Sequence, residues 1–207
     1  MAKETLIFDT PQDRIVYGIL GDTYVYANER EVEVQEPVRE MDEEGNMVEG
    51  EPKTVTKYEY DVRHFPLSDK TEAGVIAALK KQVVEELTAF DHGRYPEYGD
   101  KAVEDFVVGG IHMWLDKYDR NGLLLRFEAQ AAQNQTETTL WYGTTPLPLS
   151  IHNATQMLYA LEVYASACFD RTASHHQAIE NLTSLEDIFN YDYTAGYPEH
   201  LNFPMTA

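Results

Sequence analysis

The sequence predicts an α+β protein, with an N-terminal antiparallel β region carrying a long hairpin and a C-terminal β-α-β-α unit with one long helix. Three observations carry this reading. Thr54, Thr56, Tyr58, Tyr60 and Val62 recur at the strand period of two. From Ser68 the period changes, and Val75, Ile76, Leu79, Val83, Val84 and Leu87 recur at helical spacing. A second helical stripe starts at Ile151 and runs through Ala154, Met157, Leu158, Leu161, Val163, Tyr164, Ala165 and Cys168.

Each element has its own signal. Thr5–Phe8 and Tyr24–Tyr26 are short runs of β-formers, Arg14–Leu20 is a third candidate strand, and Asp9–Gln12 and Gly21-Asp22 are turn signals. Val32, Val34, Glu36 and Val38 form one hairpin arm, and Glu43-Glu-Gly-Asn46 supplies the turn before the Thr54–Val62 arm. A helix over residues 70–88 follows, with Ser68 and Asp69 as N-cap residues and Asp69 with Glu72 at capping-box spacing. The segment 91–101 is rich in Gly, Pro and Asp and marks a boundary between domains over residues 1–90 and 102–207. Beyond it, a strand is expected after Gly109-Gly110. Asp116 caps a helix striped by Leu123, Leu124, Phe127 and Ala131. Thr138–Tyr142 reads as a strand, Gly143–Pro146 as a turn, and Pro148-Leu149 as a short returning strand. Ser150 caps the long helix, which continues through Thr172, Ile179 and Leu182 for about 30 residues, with Asp170 the place for any break. Thr183 or Ser184 caps a short last helix, and the aromatic Tyr191–Pro198 segment packs back on the domain.

The 207 residues suffice for one full core, and the 43% apolar and 25% charged fractions are those of a folding chain. The formal charge of −20 is the largest bulk signal. Such a surface repels phosphate backbones and anionic headgroups, so neither nucleic acid nor a membrane is an expected partner. No stretch approaches the ~20 apolar residues of a membrane span, and the N-terminus has no apolar signal core. Synthesis in the cytoplasm is the expectation. The single cysteine, Cys168, allows no internal disulfide and reads as a small buried residue. Glu29–Glu51 holds ten acidic residues and two Arg. That run reads as a solvated hairpin with charged edges, and its sharper reading is a docking arm for a basic partner.

Motifs for catalysis are absent from the sequence. No Gly-rich phosphate loop, no Gly-x-Ser-x-Gly elbow and no His-Glu-x-x-His pair occurs. His175 and His176 are adjacent and point about 100° apart on a helix, which with Glu180 gives too few ligands for a metal. Asp116–Gly122 lacks the carboxylate spacing of a calcium loop. Glu128, Glu162, Asp170, Glu180 and Asp187 are candidates for a glycosidase carboxylate pair only if the fold brings two together. The expectation is a protein with no cofactor, no metal and no enzymatic activity. Trp114, Trp141 and Tyr142 are the candidate interaction residues. Strand position favours their burial in the core, whereas exposed they would stack on sugar rings.

Residues 109–203 resemble a domain of unknown function found in phage and prophage proteins near tail-fibre genes. The resemblance rests on Gly109–Asp116, Arg120, Thr139–Gly143, Ala160–Ala165, Cys168–Asp170, Thr172, His175 and Tyr191–Pro198. It implies a tail-associated structural or interaction protein of the virion, with other phage structural proteins as partners and self-association as a further option. Such a protein would reside in the host cytoplasm during assembly and then in the particle. The alternatives are an assembly chaperone absent from the finished particle and a carbohydrate-binding or hydrolysing module for the host surface.

Overall fold

A computed structural model describes residues 3–18, 21–41, 47–92, 105–115 and 117–204; at Val48, His92, Asp105, His112, Met113, Trp114 and Tyr142 it describes the backbone alone. The protein is α+β, with an N-terminal antiparallel sheet and a long C-terminal helix. It divides into two compact units, Met1–Gln82 with Thr183–Asn190 and Val83–Leu182 with Tyr191–Ala207. The division falls inside the first helix, upstream of the 91–101 segment, and it assigns the short last helix to the N-terminal unit.

In the N-terminal unit, strands β1 (Glu4–Phe8), β2 (Ile15–Tyr17), β3 (Asp22–Glu36) and β6 (Lys53–Pro66) form a sheet in the order β1-β6-β3-β2. Alternation along β3 and β6 buries Tyr26, Tyr60 and Val62, against which Phe8, Val16, Tyr24 and Tyr58 pack. Tyr26 meets Tyr60 edge-on, with ring centroids 5.7 Å apart at 77°, the arrangement that aromatic quadrupoles favour. Thr23, Val25, Arg63 and Phe65 point to the opposite face and are also buried. The short helix α4 (Leu185–Phe189) brings Phe189 beneath the Arg63 guanidinium, 5.5 Å from the ring centroid. Ser184 is its cap, with its hydroxyl accepting from Asp187 N–H. A bulge interrupts β3: Ala27 pairs with Asp61 and Arg30 with Glu59, so Asn28 and Glu29 together oppose Tyr60. Asn28 takes φ 55° there and donates its side-chain amide to Asp61 at 2.7 Å and to Asn190 at 2.8 Å. Asparagine tolerates this left-handed backbone better than other side chains do.

The first helix, α1 (Glu72–His92), starts two residues later than expected and runs four residues further, into the 91–101 segment, of which residues 93–101 lie outside the described residues. Thr71 is its cap: the hydroxyl accepts from Gly74 N–H at 3.1 Å, and the Asp69 carboxylate accepts from Thr71 N–H at 3.1 Å. The Ser68–Asp69 reading is therefore corrected, because the Asp69 side chain closes a turn onto Thr71 instead of capping. Its hydrogen bonds to the Thr71 side chain and backbone hold the Asp69 carboxyl below its usual range. That turn folds the chain tightly over Gly74, where an added Cβ would collide with the Asp69 backbone oxygen. Gly74→Ala is expected to cost about 1–3 kcal/mol despite alanine's higher helix propensity. A urea titration would read this as a lower midpoint at unchanged slope. An alanine variant as stable as the parent would show that the turn yields freely.

The C-terminal unit holds a three-stranded sheet, β11-β7-β8, and a separate hairpin, β9-β10. Strands β7 (Asp105–Val108) and β8 (Ile111–Trp114) flank the Gly109-Gly110 turn, and β11 (Asn202–Phe203) pairs parallel with β7. The expected strand after the glycines is β8. Its partner β7 precedes them. Strands β9 (Glu137–Tyr142) and β10 (Thr145–Ser150) meet in a two-residue turn in which Gly143 takes φ 58°. Helix α2 is Lys117–Ala132; its predicted cap, Asp116, lies outside the described residues, as does the Glu43–Asn46 turn. Helix α3 runs unbroken for 31 residues, Ile151–Asn181, with Ser150 Oγ accepting from Asn153 N–H. Phe106, Val108, Phe127, Leu140, Leu147, Ile151, Met157, Leu158 and Leu161 form the unit's main cluster. Two expected stripe residues face outward: Val163 is 73% exposed, and Ala131 is exposed at the end of α2.

Candidate functional site

Two surfaces and one buried cluster gather the polar chemistry. The first surface is the outer part of β3 and β6. Strand β1 pairs with β6 only from Tyr58 to Val62, and β2 pairs with β3 only from Thr23 to Val25. The pairs from Val32↔Lys57 to Glu36↔Lys53 therefore form a ribbon two strands wide among the described residues, about 14 Å long at strand rise. Beyond it, β4 (Arg39–Met41) and β5 (Met47–Glu49) form a further two-stranded ladder. Glu31 at the ribbon's base, Glu33 on the ribbon and Glu40 on the ladder are exposed, as are Met41 and Met47 at 74% and 60%. At the ribbon's base, Arg30 pairs with Glu59 at 2.7 Å and Asp61 at 2.8 Å. Burial pushes Asp61 up, but the hydrogen bonds from Asn28 and Arg30 outweigh it and hold the carboxyl below its usual range. Hydrogen bonds to Glu36 and Asp9 raise the Lys57 ammonium. The cations of the ribbon base are thus committed to internal pairs, and the exposed charge beyond it is dominated by carboxylates.

The second surface is the β9–β10 hairpin. Alternation buries Thr138 and Leu140 and turns Glu137, Thr139 and Trp141 outward. Trp141 is 64% exposed, which corrects the expectation of a core tryptophan: Leu140, its neighbour, takes the inward position. The side chains of Trp114 and Tyr142 lie outside the described residues. Across the hairpin, Trp141 faces Pro146, Thr139 faces Pro148, and Glu137 faces Ser150. Arg126 donates to the Thr138 hydroxyl at 2.8 Å and to the Thr139 carbonyl at 2.9 Å, which fixes this hairpin on α2. Beside the Glu137–Ser150 row opens a groove of about 680 Å³. Val108, Met157 and Phe203 line its apolar part, and Glu137, Asn153 and Gln156 stand exposed among its polar lining.

The buried cluster fastens the Tyr191–Pro198 segment to α3. His175 is 2% exposed; its Nδ1 lies 2.8 Å from the Tyr191 hydroxyl and its Nε2 3.0 Å from the Ala195 carbonyl. A carbonyl only accepts, so Nε2 carries the proton and the neutral ring accepts from Tyr191 at Nδ1. The Ala195 carbonyl also accepts from Arg171 Nε at 2.8 Å. Thr172 donates to Asp91 at 2.7 Å, which leaves its oxygen to accept from Tyr197, also at 2.7 Å. Phe90, Tyr164, Cys168 and Tyr197 close over this network, with Cys168 2% exposed. Gly196 turns the chain at φ 80°, where a Cβ would stand 2.6 Å from the Arg171 guanidinium.

These positions settle several sequence candidates. Both ring nitrogens of His175 are engaged, so it has none to offer a metal beside His176 and Glu180. Among the described residues no group of three or more His, Cys, Asp or Glu side chains is placed to hold a metal ion. Glu128, Glu162, Asp170, Glu180 and Asp187 are all exposed, and Glu162 accepts from the buried Arg120 at 3.0 Å. Asp187 belongs to the N-terminal unit and the other four to the C-terminal one. Glu137, Asn153 and Gln156 escaped the sequence reading because a polar residue facing outward carries no local mark of the groove beside it. The chain matches no family model, no curated protein and no solved structure.

Proposed function

We propose that this protein is a non-enzymatic, tail-associated component of a phage virion that docks onto a neighbouring structural protein through its acidic ribbon. The phage setting rests on the resemblance of residues 109–203 to a phage-associated domain. The observation that favours docking is the two-stranded β3–β6 ribbon, which extends past both flanking strands. Its outer backbone edges are not covered by β1 or β2, and its exposed carboxylates select a basic partner. Charge of this kind raises the association rate and discriminates between partners more than it adds affinity.

Purified particles probed with a specific antibody provide the test, beside light scattering of the isolated protein. The protein is expected in the particle. A variant with Glu31, Glu33, Glu40 and Glu49 all changed to Lys should be incorporated at least about tenfold less, corresponding to a loss of about 1.4 kcal/mol or more. Its stability should stay within about 1 kcal/mol of the parent, since these are exposed positions. A protein bound to tail subunits in lysates but missing from finished particles would be an assembly factor instead. A monomer found with neither would end the virion reading.

A further inference from the structure

We propose that the outward face of the β9–β10 hairpin and the groove beside it together bind a neutral oligosaccharide. Outward residues two apart along a strand are separated by about 7 Å, so the rows Trp141–Pro146, Thr139–Pro148 and Glu137–Ser150 form a straight track about 14 Å long. The track begins at an indole that is 64% exposed and ends where the 680 Å³ groove opens. A few sugar rings span that distance.

The chemistry along the track selects the ligand class. A pyranose offers an apolar C–H face, which stacks on an indole, and a rim of hydroxyls that both donate and accept. Glu137 accepts only, while the Asn153 and Gln156 amides donate and accept, which is the mixture such hydroxyls need. Among the described lining residues of the groove none is cationic and one is a carboxylate, so an anionic ligand is disfavoured. A purely apolar ligand would leave the carboxylate and both amides without partners where it covered them. A peptide adding as a strand is disfavoured too, because Pro146 and Pro148 remove two N–H groups from β10. This inference concerns the C-terminal unit alone and does not depend on the ribbon's partner.

Titration with maltohexaose, cellohexaose and mannohexaose tests it, with hexagalacturonate as the anionic counterpart. Calorimetry follows the unmodified protein. Fluorescence follows a Trp114→Phe variant, in which Trp141 is the sole tryptophan, since the chain has two. At least one neutral hexaose should bind with a Kd of about 0.1–1 mM and shift the Trp141 emission. Trp141→Ala should weaken binding at least about tenfold, and Asn153→Ala and Gln156→Ala about threefold each or more, with melting curves like the parent's. The inference is overturned if none of the neutral hexaoses binds at about 10 mM, if Trp141→Ala binds as well as the parent, or if hexagalacturonate binds most tightly.

Discussion

Phe127→Ala is expected to destabilise the C-terminal unit by about 3–5 kcal/mol, a large share of the stability of a domain this size. Phe127 is 1% exposed and is the fully buried apolar side chain that α2 contributes to the main cluster. The same cluster holds Leu140 and Leu147 of the hairpin and Leu158 and Leu161 of α3, and Leu123 and Leu124 pack against it only partly buried. Removing the ring subtracts its transfer free energy and leaves a cavity. Elements pinned by strand pairing and by the Arg126 hydrogen bonds cannot close it fully. Trp114 and Trp141 both belong to the C-terminal unit, so tryptophan fluorescence during denaturant unfolding reports on it selectively. Phe127→Leu, which keeps most of the volume, should cost well under half as much. A loss below about 1 kcal/mol for the alanine variant would mean that α2 collapses onto the vacated space, and that the cluster does not hold the helix in place.

Local periodicity explains what was legible in the sequence. The alternation of Tyr58, Tyr60 and Val62 and the spacing of Val75, Leu79, Val83 and Leu87 each identify an element, because burial follows the period of the backbone that carries it. Helix α3 reads through Asp170 because Thr172, His175 and Ile179 continue its buried stripe, while Asp170 itself faces solvent. Features set by distant pairing were not legible. Strand β11 is two residues long and is defined by its parallel pairing with β7, beside which the Leu201 carbonyl accepts from Val107 N–H and the Phe203 carbonyl from Gly109 N–H. Helix α4 belongs to the N-terminal unit through residues more than a hundred positions upstream, such as Arg63 against Phe189. At Trp141 the sequence marks a strand but not its phase. With Leu140 and Trp141 adjacent, one must face outward, and a bulky apolar residue at either position satisfies local propensity equally. The cap of α1 is ambiguous in the sequence for a related reason: Asp69 and Thr71 are both good capping residues, and the hydrogen bonds of the turn select Thr71.

The contribution of His175 to stability should be full above about pH 6.5 and fall as the pH drops below it. Burial pushes its imidazole below the usual histidine value; the hydrogen bond to the Ala195 carbonyl opposes that, Arg171 and His176 add to it, and Asp192 opposes it. The folded ring is therefore neutral at a pH where the unfolded chain already takes up a proton. The unfolded state then binds more protons, and stability declines toward acid until the folded ring also titrates. The slope is at most about 1.4 kcal/mol per pH unit for one such group. Neighbouring groups set the background: Tyr191 is pushed up by burial, and Asp192 is held low by Thr194. A chain of formal charge −20 also gains from relief of its own repulsion on acidification, which has the opposite sign. Comparison with His175→Gln removes that background, since both proteins share it. The parent should be the more stable at pH 7.5, where its ring joins Tyr191 to Ala195, and its advantage should shrink between pH 6.5 and 5.5. A difference between the two that stays constant from pH 8 to pH 5 would show that the ring is not held neutral. The fastening of the Tyr191–Pro198 segment would then rest on the chain from Tyr197 through Thr172 to Asp91, which Thr172→Val would break at any pH.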